Sequence, residues 1–323
     1  MTNKDRYEIF CKEQKNIPLF LQKWWMDAVC AGKEWDVFLY EENSEVKAVF
    51  VFHYIKRYGF KFILQPQLTQ YNGIWINYPP HIPDHKKRSL EKKIIYFFIG
   101  RLDAEKYIYY EQAFHYSFVN WLPFYWKGYT QTTRYTYQLK DLSDMEQCFA
   151  QFSSSKQRQI RKAEKELIVD FDCSEEEFYR ELTDNLHLQN KKFVCSKQLF
   201  LHVYQACVSR KQGKIIAIRN QDRQLYAAAF VVWDSASAYL LLYTIHPHYR
   251  SSGASSRMVW EAIQFVSDKV AIFDFEGSIN ETVESSYSRF GTEQVACFTI
   301  KKSKSFFFDM LLKMKKQIES HNE

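Results

Sequence analysis

One order of secondary structure occurs twice in this chain, at an offset of 179 residues. Apolar residues at helical spacing come first, followed by two apolar segments that are typical of strands joined by a polar turn. The first copy of this helix and two strands covers residues 20–29, 37–40 and 46–54. The second copy covers residues 199–208, 215–218 and 225–233. A pattern repeated at one offset indicates an internal duplication, with chance similarity of two common hairpins as the alternative.

The duplication predicts two domains of similar architecture in a chain of 323 residues. Both copies mix helices with strands, which predicts an α+β (α/β) fold in which a sheet is flanked by helices. An alternating strand over 133–139 ends the first half, so we place the domains at 1–138 and 139–323. This length is sufficient for two medium-sized domains, each with a core of its own.

The composition restricts the class of protein. Hydrophobic residues make up 46% of the chain and charged residues 25%, with only 9 Gly and 7 Pro, which is typical of an ordered globular protein. The net charge of +6 suits an anionic substrate but is too small by itself to indicate nucleic acid. Seven scattered Cys without a Cys-x-x-Cys pair indicate reduced thiols rather than a disulfide framework or a zinc site. The charged N-terminus is no signal peptide, so we expect a cytoplasmic protein without a metal.

A turn rich in Ser and Gly joins a predicted strand to a predicted amphipathic helix. The turn consists of Arg250, Ser251, Ser252, Gly253, Ala254 and Ser255. Backbone N–H groups at the start of a helix have no intrahelical acceptor, and the positive end of the helix dipole lies behind them. Small residues allow a ligand to approach such a backbone closely. We therefore expect an anion or carbonyl site here, with an ordinary polar turn before a helix as the alternative.

Two carboxylates alternate along the next predicted strand. Asp274 and Glu276 are expected on one face of this strand, with Phe273 and Phe275 on the other. A carboxylate at a strand end beside a cleft can accept the proton of an attacking ammonium. The alternative for Asp274 is a turn cap or an ion pair with a lysine. Further along the chain, Tyr287 is either a proton donor or a core aromatic residue.

A basic face is predicted on the helix that begins after Ser153. The basic residues on this face or beside it include Arg158, Arg161 and Lys162. Because arginine binds phosphate in a bidentate manner, the face is a candidate clamp for a phosphorylated acceptor. A solvated face paired with neighbouring glutamates is the alternative.

An aromatic-dense segment precedes the predicted domain junction. Trp121 and Tyr125 belong to this segment, which covers residues 120–129. Aromatic side chains of this kind line ligand grooves as well as cores. The segment therefore lines either an acceptor cleft or the core between the domains.

The order of these features resembles the GNAT acyltransferase family. The resemblance is carried by a strand, the turn Arg250-x-x-Gly253-x-Ser255, a helix, a second strand, Asn280 and, seven residues later, Tyr287. It implies a mixed, mostly antiparallel sheet flanked by helices. It also implies acyl-coenzyme A as the donor, bound by the turn and Asn280, and Tyr287 as the general acid. The family prefers Gly or Ala at the position of Ser255.

A wider resemblance, over most of the chain, is to the FemAB family of peptidoglycan-bridge aminoacyltransferases. It is carried by Trp24-Trp25 and their neighbours, by the segment 136–143 with the basic helix, and by the strand at 273–278. Members of this family consist of two GNAT-like domains and transfer an amino acid from aminoacyl-tRNA to the peptide of a cell-wall precursor. The resemblance implies an acceptor near Arg158. The family usually carries a lysine at the position of Tyr287.

These features together predict a cytoplasmic N-acyltransferase. It would move an acyl or aminoacyl group from acyl-CoA or aminoacyl-tRNA to an amine on a small molecule or peptide, such as a cell-wall peptide precursor. With an aminoacyl-tRNA donor, tRNA is also a partner. The alternative is a non-catalytic protein on the same scaffold that binds peptidoglycan or peptides.

The C-terminal tail has the pattern of an amphipathic helix. From Ser303 onward, one helical face carries Phe307, Leu311, Met314 and Ile318, with lysines around it. Such a helix either docks on the fold or makes a peripheral contact with a membrane surface.

Overall fold

The computed structural model describes residues 1–31, 34–277, 280–306, 308 and 310. By their internal contacts these residues form two compact units. The first unit consists of Met1–Gln14, Gly32–Thr133 and the segment from Cys297 onward, and the second of Lys15–Ala31 and Arg134–Ala296. Of the helix predicted from Ser303 onward, the four apolar positions Phe307, Leu311, Met314 and Ile318 lie outside the described residues.

The observed division differs from a single cut after residue 138. Residues 15–31 belong to the second unit because their apolar side chains pack into its core. Phe20 and Trp25 are fully buried, and the ring of Phe20 lies 4.7 Å from that of Tyr239. The last strand belongs partly to the first unit, where the Phe114 N–H donates to the carbonyl of Phe298 at 2.8 Å. Packing of distant segments decides both assignments.

The first unit contains one mixed sheet with helices beside it. Its elements are α1 (Asn3–Glu13), β1 (Trp35–Glu42), β2 (Glu45–Arg57), β3 (Phe60–Leu64), β4 (Gly73–Ile76), α3 (Asp84–Ala104), β5 (Tyr107–Ala113), α4 (Leu122–Tyr125) and the end of β12 (Glu293–Ser303). Strand β2 is antiparallel to β1, β3 and β4, and β5 is parallel to β3 and antiparallel to β12. The buried face of α3 packs on this sheet, with the Phe98 ring 5.6 Å from that of Phe50.

The second unit has the same kind of architecture. Its elements are α2 (Lys23–Cys30), β6 (Thr130–Lys140, from Arg134), α5 (Met145–Ala150), α6 (Ser154–Glu166), β7 (Ile168–Asp170), α7 (Glu175–His187), α8 (Lys197–Ser209), β8 (Gly213–Arg219), β9 (Leu225–Trp233), β10 (Ser237–Ile245), α9 (Ala254–Val266), β11 (Ile272–Asp274), α10 (Glu281–Ser288) and the start of β12. The strand order is β6-β11-β10-β9-β8-β7, and every pair except β10 with β11 is antiparallel. The predicted fold class, with a mostly antiparallel sheet, is confirmed.

Both predicted hairpins are present, one in each unit. Strands β1 and β2 form an antiparallel pair with a register shift after Tyr40, and β8 and β9 form another with a shift after Ile218. The two shifts occupy nearly the same place in the repeated pattern. The helix of the first copy, α2, nevertheless packs with α8 in the second unit, where the Arg210 guanidinium lies 4.8 Å from the Trp24 ring. Apolar burial outweighs sequence proximity here.

A buried histidine gives the first unit a pH-dependent stability. His115 is 7% exposed, and its ring packs edge-on against Tyr71 with 5.1 Å between centroids. The Nδ1 atom lies 2.7 Å from Ser117 Oγ. Burial lowers the pKa of His115 from 6.5 to about 3, because the charged ring loses its hydration. Between those pH values the unfolded chain binds a proton that the folded chain does not.

We therefore expect the protein to become less stable as the pH is lowered, because of the protonation of His115 in the unfolded chain. Since the unfolded pKa is the higher one, protons favour the unfolded chain below pH 6.5. From pH 7 to pH 5 the contribution of His115 to the free energy of unfolding should fall by about 2 kcal/mol. Urea unfolding of the wild type and of His115→Gln at both pH values measures this. Equal losses in the two proteins would contradict the assignment.

Candidate functional site

The second unit contains a cavity of about 580 Å³, which we call the main cavity. Side chains from α6, α7, β10, α9 and α10 and from the segments beside them line it. The polar lining residues are Lys156, Asn185, Gln189, Lys191, Tyr243, Thr244, Arg250, Ser255, Asn280, Thr282, Ser286 and Tyr287. Among the described lining residues there is no Asp, Glu or His. The polar part of the lining is therefore neutral or cationic, and the rest of the lining is apolar.

Strand β10 provides an unpaired edge to the main cavity. It pairs with the parallel strand β11 only over residues 237–239, and no other strand of the described chain pairs with that edge further on. A register shift between Leu240 and Leu242 marks a bulge against β9. Leu240, Tyr243 and Thr244 line the cavity at this point. Backbone N–H groups of this edge can therefore bond a ligand carbonyl.

The first turn of α9 lies at the same cavity, as the sequence predicted for a helix start. Ser255 and Arg250 line the cavity, and Arg250 donates to Gln189 Oε1 at 2.8 Å. The Ala254 N–H donates to Ser252 Oγ at 3.1 Å. The N–H groups of Ser255 and Ser256 have no acceptor within the described part of the chain. Of the two, Ser255 lines the cavity, so its N–H can meet an anion at the positive end of a 13-residue helix, whereas Ser256 is fully buried.

The fold itself constrains the residue at position 253 to glycine. Gly253 adopts φ +85° before α9, and a Cβ atom there would lie 2.4 Å from the carbonyl oxygen of Gln159. The glycine is thus required by its left-handed conformation and by the close approach of α6. Ser251 is exposed and is absent from the described lining. Of this turn, Arg250 and Ser255 line the main cavity.

Tyr287 and Asn280, both predicted for the site, line the main cavity. The Tyr287 hydroxyl lies 3.5 Å from that of Tyr243. Burial, and then the neighbouring Tyr243 hydroxyl, raise the pKa of Tyr287 well above its ordinary value. Asn280 begins α10, and its Oδ1 accepts from the N–H groups of Thr282 at 3.0 Å and Val283 at 3.2 Å. Tyr287 therefore keeps its proton at neutral pH, and Asn280 caps a helix.

The two predicted proton acceptors do not line the main cavity. Asp274 is fully buried and accepts from Thr136 Oγ1, from Gln138 Nε2 at 2.8 Å and from the Glu276 N–H at 2.8 Å. It thus caps the end of β11, the alternative that the sequence left open. The expected alternation along the strand ends at Asp274, because Glu276 has φ +55°.

Glu276 follows the end of β11 and is half-buried. Its Oε1 atom is buried and has no hydrogen-bond partner among the described residues. Burial, and then the Asp274 carboxylate, raise the pKa of Glu276 well above its ordinary value. Both effects disfavour the charged form of Glu276.

The predicted acceptor-binding residues are not in the main cavity. Arg158 and Lys162 are exposed on α6, and the guanidinium of Arg161 lies over the ring of Phe149 at 5.5 Å. Trp121 and Tyr125 belong to the first unit, where their rings are 5.6 Å apart. The sequence pattern correctly predicted the basic helix, but the residues chosen from it lie on its solvent-exposed side.

Lys156, on the opposite side of α6, is the functional candidate that sequence reasoning missed. Its side chain is 8% exposed and donates to Ser286 Oγ at 3.0 Å and to Ser256 Oγ at 3.2 Å. The ammonium also lies 4.4 Å from the Phe290 ring. Burial, and then the charge of Arg289, lower the pKa of Lys156 to about 8. A signal was present, because Lys156 precedes the apolar positions 160, 163 and 167 at helical spacing.

A second cavity of about 430 Å³ adjoins α6 and α10. Its described lining consists of Ser155, Lys156, Gln159, Glu281, Thr282, Ser285, Ser286 and Arg289. Lys156, Thr282 and Ser286 line both cavities. They form a wall between the two spaces, with the ammonium of Lys156 in it.

No helix in the described part of the chain is long and apolar enough to cross a membrane. Likewise, the described residues include no group of three or more His, Cys, Asp or Glu that could hold a metal ion.

Residues 150–282 match the profile of the acetyltransferase (GNAT) domain. This stretch lies within the second unit and contains most residues of the main cavity. No curated protein matches the sequence.

Solved structures with a similar fold extend over nearly the whole chain. FemX is 10% identical, with a TM-score of 0.69 over 92% of this chain and 96% of that chain. The structure of L-PGS from Bacillus licheniformis is 12% identical, with a TM-score of 0.56 over 96% of both chains. A tandem GNAT protein from the clavulanic acid biosynthesis pathway is 8% identical, with a TM-score of 0.51 over 92% of both. The predicted resemblance to GNAT and FemAB-like acyltransferases is confirmed at the level of fold.

Proposed function

We propose that this protein is an N-acyltransferase that moves an acyl or aminoacyl group from an activated donor to a primary amine. The GNAT domain profile and the tandem GNAT fold support acyl or aminoacyl transfer in general. One observation carries the assignment to a site. The unpaired edge of β10, the first turn of α9 and Tyr287 all line the main cavity.

Each of these elements supplies one requirement of acyl transfer. Backbone N–H groups at the edge of β10 stabilise the oxyanion that forms when an amine attacks the donor carbonyl. The first turn of α9, with Arg250 and Ser255, binds the phosphates of the donor. Tyr287 retains its proton at neutral pH and gives it to the leaving group.

The proposed donor is acyl-CoA, with aminoacyl-tRNA as the other candidate. A CoA pyrophosphate suits a helix start with a free N–H group beside an arginine, which Ser255 and Arg250 provide. The acceptor is a small molecule or peptide with a free amine, and a cell-wall peptide precursor in the cytoplasm is one such compound. Calorimetric titration with CoA and acetyl-CoA tests the donor, and thiol release in the presence of candidate amines tests transfer. If neither CoA compound binds, acyl-CoA is excluded as the donor.

A charge introduced at Ser255 should weaken donor binding. Ser255→Asp places a carboxylate in the main cavity where the phosphates are proposed to lie, so we expect at least a tenfold loss of CoA affinity, about 1.4 kcal/mol. Asp is well tolerated in the first turn of a helix, so the fold should be retained. Ser251→Asp is the matched control, because Ser251 is exposed and outside the described lining. Equal CoA affinities in the two variants would show that the phosphates of CoA do not bind at this turn.

A non-catalytic binding protein on the same scaffold is the second candidate. It is favoured by the absence of Asp, Glu and His from the described lining of the main cavity. Such a protein would bind a peptide or peptidoglycan fragment without releasing thiol from acetyl-CoA. Titration with a muropeptide alongside the transfer assay separates the two candidates.

A further inference from the structure

The wall between the two cavities determines where an amine can meet the donor. Lys156 is the cationic residue of this wall, and Ser286 and Thr282 lie beside it. The main cavity holds the unpaired edge of β10, whereas the second cavity is lined by α6 and α10. A donor in the main cavity leaves the second cavity for the acceptor. The attacking amine would then cross the wall next to the Lys156 amine.

Acyl transfer to an amine requires a proton acceptor at that place. An acceptor amine is an ammonium at neutral pH and must lose a proton before it can attack. The described lining of the main cavity provides no carboxylate or imidazole, and Asp274 and Glu276 lie outside it. Lys156 is buried and donates to two serine hydroxyls but makes no ion pair with the described residues. An amine in this environment can exist in its neutral form.

We propose that Lys156 is the general base of the transfer reaction and that the acceptor is a polar amine that enters through the second cavity. This role rests on the proposed function. The neutral Nζ of Lys156 takes one proton from the acceptor ammonium. The freed amine forms the C–N bond with the donor carbonyl carbon, and the C–S bond of the thioester breaks. The second proton of the attacking nitrogen goes to the leaving sulfur by way of Tyr287, and Lys156 returns its proton to solvent.

The charges around Lys156 favour its neutral form. Arg289 lines the second cavity, and its charge disfavours a further positive charge on Lys156. The other cations of the described lining, Arg250 and Lys191, belong to the main cavity. Glu281 is the described acidic residue of the second cavity and is exposed. The hydroxyls of Tyr287 and Tyr243 complete the titratable groups of the described lining. Burial and Arg289 hold the pKa of Lys156 at about 8, close to the pH at which a base is most effective.

The hydroxyls beside Lys156 suit a proton relay. Ser286 Oγ, at 3.0 Å from Nζ, lines both cavities and can pass a proton between the acceptor and the lysine. Ser256 Oγ, at 3.2 Å, also donates to Gln159 Oε1 at 2.7 Å and thereby fixes Lys156 from the α9 side. The polar lining of the second cavity, with Glu281 and Arg289, selects polar acceptors over apolar amines.

The test is the pH dependence of kcat/KM for thiol release from acetyl-CoA with a panel of probe amines that includes ethanolamine and Nα-acetyllysine. These are alkylamines that stay mostly protonated through pH 8, as the lysine side chain does with a pKa of about 10.4. In the wild type we expect kcat/KM to rise with pH through an apparent pKa near 8, because only neutral Lys156 accepts a proton. Lys156→Met should lower kcat/KM by about 100- to 1,000-fold and lose the inflection near pH 8, leaving only the increase that follows the fraction of neutral amine. Lys156→Arg should be equally slow, since arginine keeps the charge but does not give up its proton. Lys162→Met, on the exposed side of α6, should remain within about twofold of the wild type.

Rescue and binding measurements separate a base from a structural lysine. A tertiary amine such as trimethylamine cannot form a stable amide, and it should restore activity to Lys156→Ala in a concentration-dependent way. Acetyl-CoA titration of each variant shows whether the donor site is intact. Activity of Lys156→Arg near the wild-type level, or an unchanged pH profile in Lys156→Met, would overturn the role of Lys156 alone. Failure of the wild type to transfer from acetyl-CoA to any probe amine would overturn the proposed acyl-CoA function and this role with it.

Discussion

Lys156→Met should raise the free energy of unfolding by about 2 kcal/mol at pH 7 while it impairs transfer. Lys156 is 8% exposed, and its ammonium is held by two serine hydroxyls and an aromatic ring without a carboxylate among the described residues. Burial of this charge therefore destabilises the folded protein relative to the unfolded chain, in which the ammonium is hydrated. Methionine has a similar length and no charge, so it fits the apolar side of α6.

The sign of the pH dependence follows from the lowered pKa of Lys156. Below pH 8 the lysine is charged in both states, and the full penalty of burial applies. Between pH 8 and 10.5 the folded protein releases its proton while the unfolded chain keeps it, so wild-type stability rises relative to the variant. We expect urea unfolding of the wild type and of Lys156→Met to show a smaller difference in free energy of unfolding at pH 10 than at pH 7. Lys162→Met should change stability by less than about 0.5 kcal/mol at either pH. A destabilised Lys156→Met would indicate that the ammonium is a structural bond donor.

Gly253→Ala should lower the free energy of unfolding by about 3 kcal/mol. Two independent effects add at this position. The residue has φ +85°, which disfavours any residue with a Cβ, and the new atom would lie 2.4 Å from the backbone oxygen of Gln159. Because this oxygen belongs to helix α6, it cannot move without the helix. The start of α9 should shift with it, and CoA affinity should fall together with stability.

Two other glycines provide matched controls for these effects. Gly128 has φ +77° with nothing within 4 Å of the position that a Cβ atom would occupy, so Gly128→Ala isolates the conformational effect, about 1 kcal/mol. Gly100 lies inside α3 with open space around it, and Gly100→Ala should stabilise the protein by about 0.5–1 kcal/mol. Urea unfolding of the three variants tests whether their free energies of unfolding follow this predicted ranking. If Gly253→Ala is no worse than Gly128→Ala, the close approach of α6 is not a constraint.

Local sequence patterns were sufficient for the secondary structure around the site. The hairpin of β8 and β9, the N-cap Ser153 of α6 and the helix after Gly253 all depend on residues close in sequence. Alternation, capping and apolar spacing act over one or two turns of chain, so they can be read directly. The same holds for the positions of Arg250, Ser255, Asn280 and Tyr287 near helix ends.

Which side chains meet at the site depended on contacts between distant segments. Asp274 and Glu276 are equivalent by alternation, but the strand ends between them, and Asp274 bonds Thr136 and Gln138 from β6. Arg158 was selected because it is basic, whereas the cavity receives Lys156 from the apolar side of the same helix. The charge of a residue is visible in the sequence, but its burial is not.

The sequence by itself determined the duplicated hairpins, the mixed α+β architecture and the helix start at Gly253–Ala254, because each depends on periodicity and backbone preference within a short segment. Only the tertiary structure decided that residues 15–31 join the second unit and that Lys156 lies in the wall between two cavities. It also decided that the backbone of Gln159 leaves no room for a Cβ atom at Gly253. These outcomes depend on packing and desolvation, which arise when residues more than 90 positions apart come into contact, as Lys156 and Ser256 do at a separation of 100.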